Sequence, residues 1–144
     1  MHDGDREWQV PLVVRPQDLH RVRRIVRAHL RLWELNPLVD DSLKIVTELL
    51  TNVHRHVDGR AVLILRATTD LLLITVHDNS TVVPKVRQPD WDSSTGRGMW
   101  LVDQLSYWWK AEPTKDGKDV QCALRVPAAE DERPTDRQPV GCSA

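Results

Sequence analysis

The apolar residues of this chain recur in two different periods, one typical of helices and one typical of strands. After Pro16, apolar side chains return every three or four positions, which predicts a helix that runs to about Leu35. A second stripe of the same period begins after the acidic segment 40–42 and predicts a helix that stops at Asp58-Gly59, where glycine can adopt a left-handed conformation. The stripe of this second helix consists of Leu43, Val46, Leu49, Leu50, Val53 and Val57.

Four segments have the apolar composition of β-strands. The first spans residues 8–14 and contains Pro11, which favours the edge of a sheet because proline has no backbone N–H. Residues 61–68 and 71–78 are separated by only two residues, so they are predicted to form a hairpin of two central strands. The last strand is predicted at residues 120–126.

A third helix is predicted to begin near Gly98, after a long segment of different composition. Residues 79–97 are rich in proline, serine, threonine and aspartate, which predicts a loop of the length that often forms a lid. The order strand, helix, helix, strand, strand, helix, strand predicts an α/β two-layer sandwich, with helices packed on one face of a mixed, mostly antiparallel sheet. The residues of the third helix that we expect to point inward are Met99, Leu101, Val102, Leu105 and Trp108.

The length and composition indicate one globular domain. The chain has 144 residues, of which 40% are hydrophobic and 28% are charged, and its formal net charge is -1. We expect the domain to span residues 8–126, between a disordered N-terminus at 1–7 and a disordered tail at 127–144. The near-balanced charge argues against direct binding of nucleic acid. Without a membrane-length apolar run or a secretory leader, the chain is predicted to be cytoplasmic and to have no membrane partner.

Three polar residues on the second predicted helix are candidates for metal and phosphate chemistry. Glu48, Asn52 and His56 lie four residues apart, so they line up along one side of the helix. Carboxylate and amide oxygens at this spacing can meet one hard cation such as Mg²⁺ together with its phosphate ligands. Polar residues at the same spacing also fit a helix side that faces water, and the spacing does not distinguish the two interpretations.

Two further segments carry polar residues at the ends of predicted elements. Asp78 ends the third strand, where a carboxylate can accept a hydrogen bond from the exocyclic amine of a base. The pair Asp78-Asn79 is equally typical of a turn. Gly96-Arg97-Gly98 precedes the third helix, where backbone N–H groups and a guanidinium can bind an anion. A flexible entry into the helix is the alternative.

The first predicted helix has a basic outer face. We expect Arg23, Arg24, Arg27 and Arg31 on this face, with His20 beside them. Such a face can dock an acidic partner helix or a second copy of the chain, which would form a homodimer. A solvated side of an amphipathic helix is the alternative.

The chain resembles a known family in three of its segments. These are TELLTNVHRHV, ITVHDNSTVVP and STGRGMWLVDQLSYWW, and their order and spacing resemble the signature boxes of the histidine-kinase-like ATPase (GHKL) superfamily. Within it, the chain is most similar to the anti-sigma-factor serine/threonine kinases. The likeness covers about residues 8–126, and DGKDVQCALRV resembles the closing hairpin of that family. The resemblance implies the Bergerat ATP-binding fold.

The resemblance also implies ATP and Mg²⁺ as cofactors and gives roles to particular residues. Asn52 would be the magnesium ligand, Glu48 the general base for a protein hydroxyl, and Asp78 the acceptor of the adenine amine. Where the family commonly has glycine shortly after this aspartate, the chain has Asn79 and Ser80, so the turn that admits the base differs. The other residues that the resemblance places around ATP are Arg55, His56, Ser80, Gly96, Arg97, Gly98 and Lys118.

The implied activity is transfer of the γ-phosphate of ATP to a serine or threonine of an anti-sigma-antagonist protein, with a sigma factor as a second partner. Phosphoryl transfer needs little covalent chemistry from the protein, and a carboxylate beside a metal ligand meets that minimum. A non-catalytic regulatory module, which keeps or loses the nucleotide and sequesters a partner, is the alternative. The altered turn at Asn79-Ser80 favours the module, whereas Glu48 favours the enzyme.

Overall fold

A computed structural model describes residues 5–56, 59–80 and 97–128. Within these residues the chain forms five β-strands and three α-helices. A single turn of 3-10 helix precedes each of the first two α-helices. In chain order the elements are β1 (Arg6–Val13), α1 (Leu19–Leu32), α2 (Val39–His56), β2 (Arg60–Ala67), β3 (Leu71–Asp78), α3 (Arg97–Leu105), β4 (Trp108–Thr114) and β5 (Gly117–Arg125).

The five strands form one open sheet in the order β1-β2-β3-β5-β4, and every neighbouring pair is antiparallel. The expected α/β architecture is confirmed, and the layers are consistent with a two-layer sandwich. The expected mixed sheet is wrong for the described strands. Because α3 returns the chain across the sheet, β4 runs in the same direction as β3, but β5 lies between them and pairs antiparallel with both. Pro11 lies on the edge strand β1, as predicted.

Strand β4 is the element that the periodicity does not predict. The third helix ends at Leu105, and Trp108 begins β4 instead of continuing the buried side of the helix. Trp108 is 36% exposed, so its predicted inward position is wrong. The strand forms because its residues pair in register with β5, from Trp108 opposite Ala123 to Thr114 opposite Gly117. Long-range pairing here overrides a local apolar spacing that also fits a helix.

The core lies between the helices and one face of the sheet. Leu63, Leu65 and Ile74 from the central strands are fully buried, and alternate residues of β2 and β3 point the same way. The apolar stripe predicted for α2 is buried at Leu43, Val46, Leu49, Leu50 and Val53, whereas Val57 lies outside the described residues. Gly59 follows with φ +90°, the left-handed conformation predicted for the helix stop.

Helices α1 and α2 pack together through Arg23, which the helical spacing predicts on the outer face of α1. The guanidinium of Arg23 donates to Thr47 Oγ1 at 2.7 Å and to the Leu43 carbonyl oxygen at 3.2 Å. Its expected position on the outer face of α1 is therefore wrong, because α2 offers two acceptors within reach of its long side chain. Arg24 and Arg31 are exposed, as predicted.

Several expectations concern residues that the structure does not describe. The central part of the predicted lid, at 81–96, and most of the predicted tail, at 129–144, lie outside the described residues, as do residues 1–4. Strand β1 begins at Arg6, two residues before the predicted start of the domain. Among the described helices, none is long and apolar enough to span a bilayer.

Candidate functional site

Two residues from different predicted segments meet where α2 packs against α3. Gly98 is the second residue of α3, and a Cβ built on it would lie 2.7 Å from Oε1 of Glu48 on α2. The carboxylate therefore rests against the first turn of α3, in space that any side chain at position 98 would need. Backbone N–H groups of a first helical turn favour a nearby negative charge. The structure thus brings together the predicted general base and a predicted phosphate-loop glycine.

Asn52 lies one turn beyond Glu48 along α2, and both side chains are half-buried. They stand outside the buried apolar stripe of the helix, as their spacing predicts. Within the described part of the chain, no hydrogen bond engages the Asn52 side chain, so its amide oxygen is available to a ligand. Arg55 and His56 belong to the last turn of α2, but their side chains lie outside the described residues.

The oxygen donors on α2 suit magnesium better than a softer metal. Mg²⁺ takes one or two protein oxygens and completes its shell with water and phosphate oxygens. Glu48 and Asn52 can supply that number, and the chemistry of the two groups fits the ion. Among the described residues there is no cluster of three or more histidine, cysteine, aspartate or glutamate side chains placed to bind a metal without a nucleotide.

Asp78 ends the central strand β3 and is only 4% exposed. Its Oδ1 atom accepts a hydrogen bond from the Ser80 backbone N–H at 2.8 Å. This hydrogen bond closes the turn at Asp78-Asn79, which the sequence predicts as the alternative to base recognition. Asp78 occupies the end of β3, where the sequence predicts it, and its carboxylate already takes part in this turn.

Lys118 binds Asp78 directly. Its ammonium donates to Oδ1 at 2.9 Å and to Oδ2 at 3.0 Å, and the lysine side chain is 10% exposed. The two residues are directly opposite each other on β3 and β5. The resemblance places Lys118 around ATP, whereas the structure pairs it with the carboxylate that the resemblance assigns to adenine. The two residues are 40 positions apart in sequence, so a local sequence pattern does not predict this pair.

Gly117 lies beside the candidate site, and the motifs of the sequence do not single it out. A Cβ at this position would collide with the Asp78 carbonyl oxygen, so only glycine lets the start of β5 approach the end of β3 so closely. The signal available in the sequence is the turn-forming pair Asp116-Gly117.

The remaining predicted site residues are placed only in part. Arg97 begins α3 where the sequence predicts the helix entry, but its side chain lies outside the described residues, and so does Gly96. Ser80 is buried and bound to Asp78 through its backbone.

The described cysteine is unsuited to nucleophilic chemistry. Cys122 is fully buried on β5, and burial raises the pKa of its thiol to about 12. The reactive thiolate is therefore scarce near neutral pH.

A second candidate surface lies on α1. The helix contains no acidic residue, and its exposed side carries Arg24 and Arg31 next to the exposed apolar side chains of Ile25 and Leu32. Leu32 is 74% exposed and Ile25 is 39% exposed. Neither arginine has an ion-pair partner within the described part of the chain.

Comparison with known proteins does not assign the chain to a family. No protein-family model matches the chain, and a search of curated proteins gave no match either.

Proposed function

We propose that this chain is an ATP-binding regulatory protein that transfers the γ-phosphate of ATP to a serine or threonine of an anti-sigma-antagonist protein and also binds a sigma factor. The observation that carries the proposal is the contact between Glu48 on α2 and Gly98 in the first turn of α3. It combines a carboxylate with a helix N-terminus, which are two groups that phosphoryl transfer uses. Asn52, one turn further along α2, adds an oxygen donor.

The proposed chemistry depends mainly on position and charge. Backbone N–H groups at the start of α3 bind phosphate oxygens, and Glu48 accepts the proton of the incoming hydroxyl. Asn52 would hold Mg²⁺, and the ion would neutralise phosphate charge when bound. At the other end of the site, the Asp78 carboxylate accepts a hydrogen bond from the adenine amine. The finer assignment to the Bergerat fold, and the cytoplasm as the place of action, belong to this proposal.

A second candidate function is a partner-sequestering module that does not use adenine. The buried pair of Asp78 and Lys118 favours it, because the carboxylate already has a cationic partner. In this alternative the chain acts only through its protein-binding surfaces, and Glu48 serves to stabilise the first turn of α3.

Replacing Glu48 tests the enzymatic proposal. Glu48→Gln keeps the size of the side chain and removes the base, so we expect loss of phosphate transfer to an anti-sigma antagonist while Mg²⁺-dependent ATP binding persists. Calorimetry measures the binding, and transfer of radiolabelled phosphate measures the reaction. Glu112→Gln makes the same change on an exposed residue of β4 and is the control. Unchanged transfer by Glu48→Gln would remove Glu48 from its role, and a natural chain without saturable ATP binding would favour the module.

The surface of α1 is the proposed docking site for the protein partner. Its arginines, which have no ion-pair partner among the described residues, and its exposed apolar side chains suit an acidic amphipathic helix. We expect Arg24→Glu with Arg31→Glu to weaken the complex with a sigma factor or antagonist and to reduce its salt dependence, as measured by titration calorimetry. Lys44→Glu with Lys115→Glu makes an equal charge change at exposed positions elsewhere. Equal affinity of the two double variants would exclude α1. Sedimentation of the same variants tests whether α1 instead holds a second copy.

A further inference from the structure

Lys118 and Asp78 form a buried ion pair where the proposed nucleotide site requires an open carboxylate. The ammonium contacts both carboxylate oxygens, and the Ser80 N–H takes a second acceptor position on Oδ1. A carboxylate offers about four acceptor positions, so three of them are in use. The side chains of Lys118 and Asp78 are 10% and 4% exposed, which leaves little access from solvent to the fourth position.

The sheet itself holds this pair in place. Asp78 and Lys118 are register partners on adjacent strands. One position along the same two strands, His77 Nδ1 lies 2.6 Å from Asp119 Oδ1 on the other face of the sheet. Gly117 permits the close approach of β5 to the Asp78 backbone. The strand register, the neighbouring pair and the glycine together determine the position from which the lysine side chain extends.

We propose that Lys118 competes with the exocyclic amine of adenine for the Asp78 carboxylate, and that it thereby sets the affinity of the site for adenine nucleotides. This inference rests on the proposed nucleotide function. An amine that binds Asp78 must take over a position that the lysine holds, and the displaced ammonium then loses its partner in a buried environment. The free energy of that exchange opposes binding of the base. The natural chain therefore binds ATP less tightly than a chain without this ammonium.

The test compares the natural chain with Lys118→Met, which keeps the apolar stem of the side chain and removes the ammonium. Calorimetry with Mg²⁺ measures binding of ATP and of inosine triphosphate, whose base carries a carbonyl oxygen in place of the amine. We expect Lys118→Met to bind ATP at least about tenfold more tightly, the gain from one hydrogen bond to a charged group. Its affinity for inosine triphosphate stays unchanged.

Two further variants separate competition from other effects. Lys115→Met removes an exposed lysine from the turn between β4 and β5, so it reports how one lost positive charge affects a polyanionic ligand. Asp78→Asn combined with Lys118→Met leaves no buried charge and retains an amide oxygen that can accept the amine. This double variant replaces Lys118→Met in the comparison if the single variant does not fold, and thermal unfolding shows whether each variant is folded.

The possible results lead to different conclusions. A gain in ATP affinity that occurs with Lys118→Met, is absent with Lys115→Met and requires the amine supports the competition. If Lys118→Met binds ATP no more tightly than a natural chain that does bind it, the competition is wrong and the proposed function stands. An equal gain for inosine triphosphate also contradicts the competition, because the amine is then not what the lysine excludes. Absence of ATP binding by every folded variant overturns both the competition and the nucleotide function.

Discussion

The carboxylate of Glu48 occupies the space that a side chain at Gly98 would need, with Oε1 2.7 Å from the position of a Cβ. Because this oxygen is the end of a flexible side chain, Gly98→Ala moves the carboxylate without disturbing the backbone. We expect the free energy of unfolding to change by no more than about 1 kcal/mol. Phosphate transfer should fall by up to about 100-fold, since a displacement of about 1 Å at a catalytic group can cost that much.

A double-mutant comparison checks this explanation. Gly98→Ala in a Glu48→Gln background should reduce transfer little further, because both changes act through the same carboxylate. Urea unfolding measures stability, and labelled-phosphate transfer measures activity. Fully additive losses would show that Gly98 acts independently of Glu48.

Gly117→Ala is expected to behave differently, although the chemical change is the same. Its Cβ would meet the Asp78 carbonyl oxygen, and a backbone atom in the central strand cannot move aside as a side chain can. We expect a loss of about 2–3 kcal/mol in the free energy of unfolding, as overpacking typically costs. Urea unfolding of the two alanine variants side by side is the measurement. A loss no greater than that of Gly98→Ala would contradict the close approach of β5 to β3.

We expect Arg23 to contribute to stability and Arg24 on the same helix not to. Arg23→Met removes the hydrogen bonds to Thr47 and to the Leu43 carbonyl oxygen, which join α1 to α2. We expect it to lower the free energy of unfolding by about 1–2 kcal/mol. Arg24→Met, at an exposed position, should stay within about 0.5 kcal/mol of the natural chain. Chemical denaturation measures the free energy of unfolding of both variants. Equal losses would show that the hydrogen bonds of Arg23 do not stabilise the packing of α1 on α2.

Cys122 makes the stability of the fold depend on pH in the alkaline range. The pKa of its thiol is raised by burial from 9.0 to about 12, so the unfolded chain loses this proton at lower pH than the folded chain does. Stability from this group therefore falls as pH rises from about 9 towards about 12, by up to about 1.4 kcal/mol per pH unit. Unfolding free energies of the natural chain and Cys122→Ala should converge over that range. A difference that is constant with pH would contradict a buried, neutral thiol.

Local pattern predicts much of this fold and only part of the candidate site. Strand β3 has its predicted bounds because a two-residue turn and an unbroken apolar run define it. The alignment of Glu48 with Asn52 is predictable because both residues lie on one helix, four positions apart. The pair of Asp78 and Lys118 depends on the register of β5 beside β3, and that register is a long-range property of the sheet. Trp108 is mispredicted for the same reason, since its pairing with Ala123 outweighs its helical spacing.

The position of β5 between β3 and β4 has a consequence for synthesis of the chain. Both neighbours precede β5 in sequence, so neither β3 nor β4 can complete its backbone hydrogen bonds until β5 has left the ribosome. Such late, long-range pairing slows folding. Since Lys118 lies on β5, its ammonium reaches Asp78 only when β5 pairs with β3, so this ion pair reports that the two strands have reached their register.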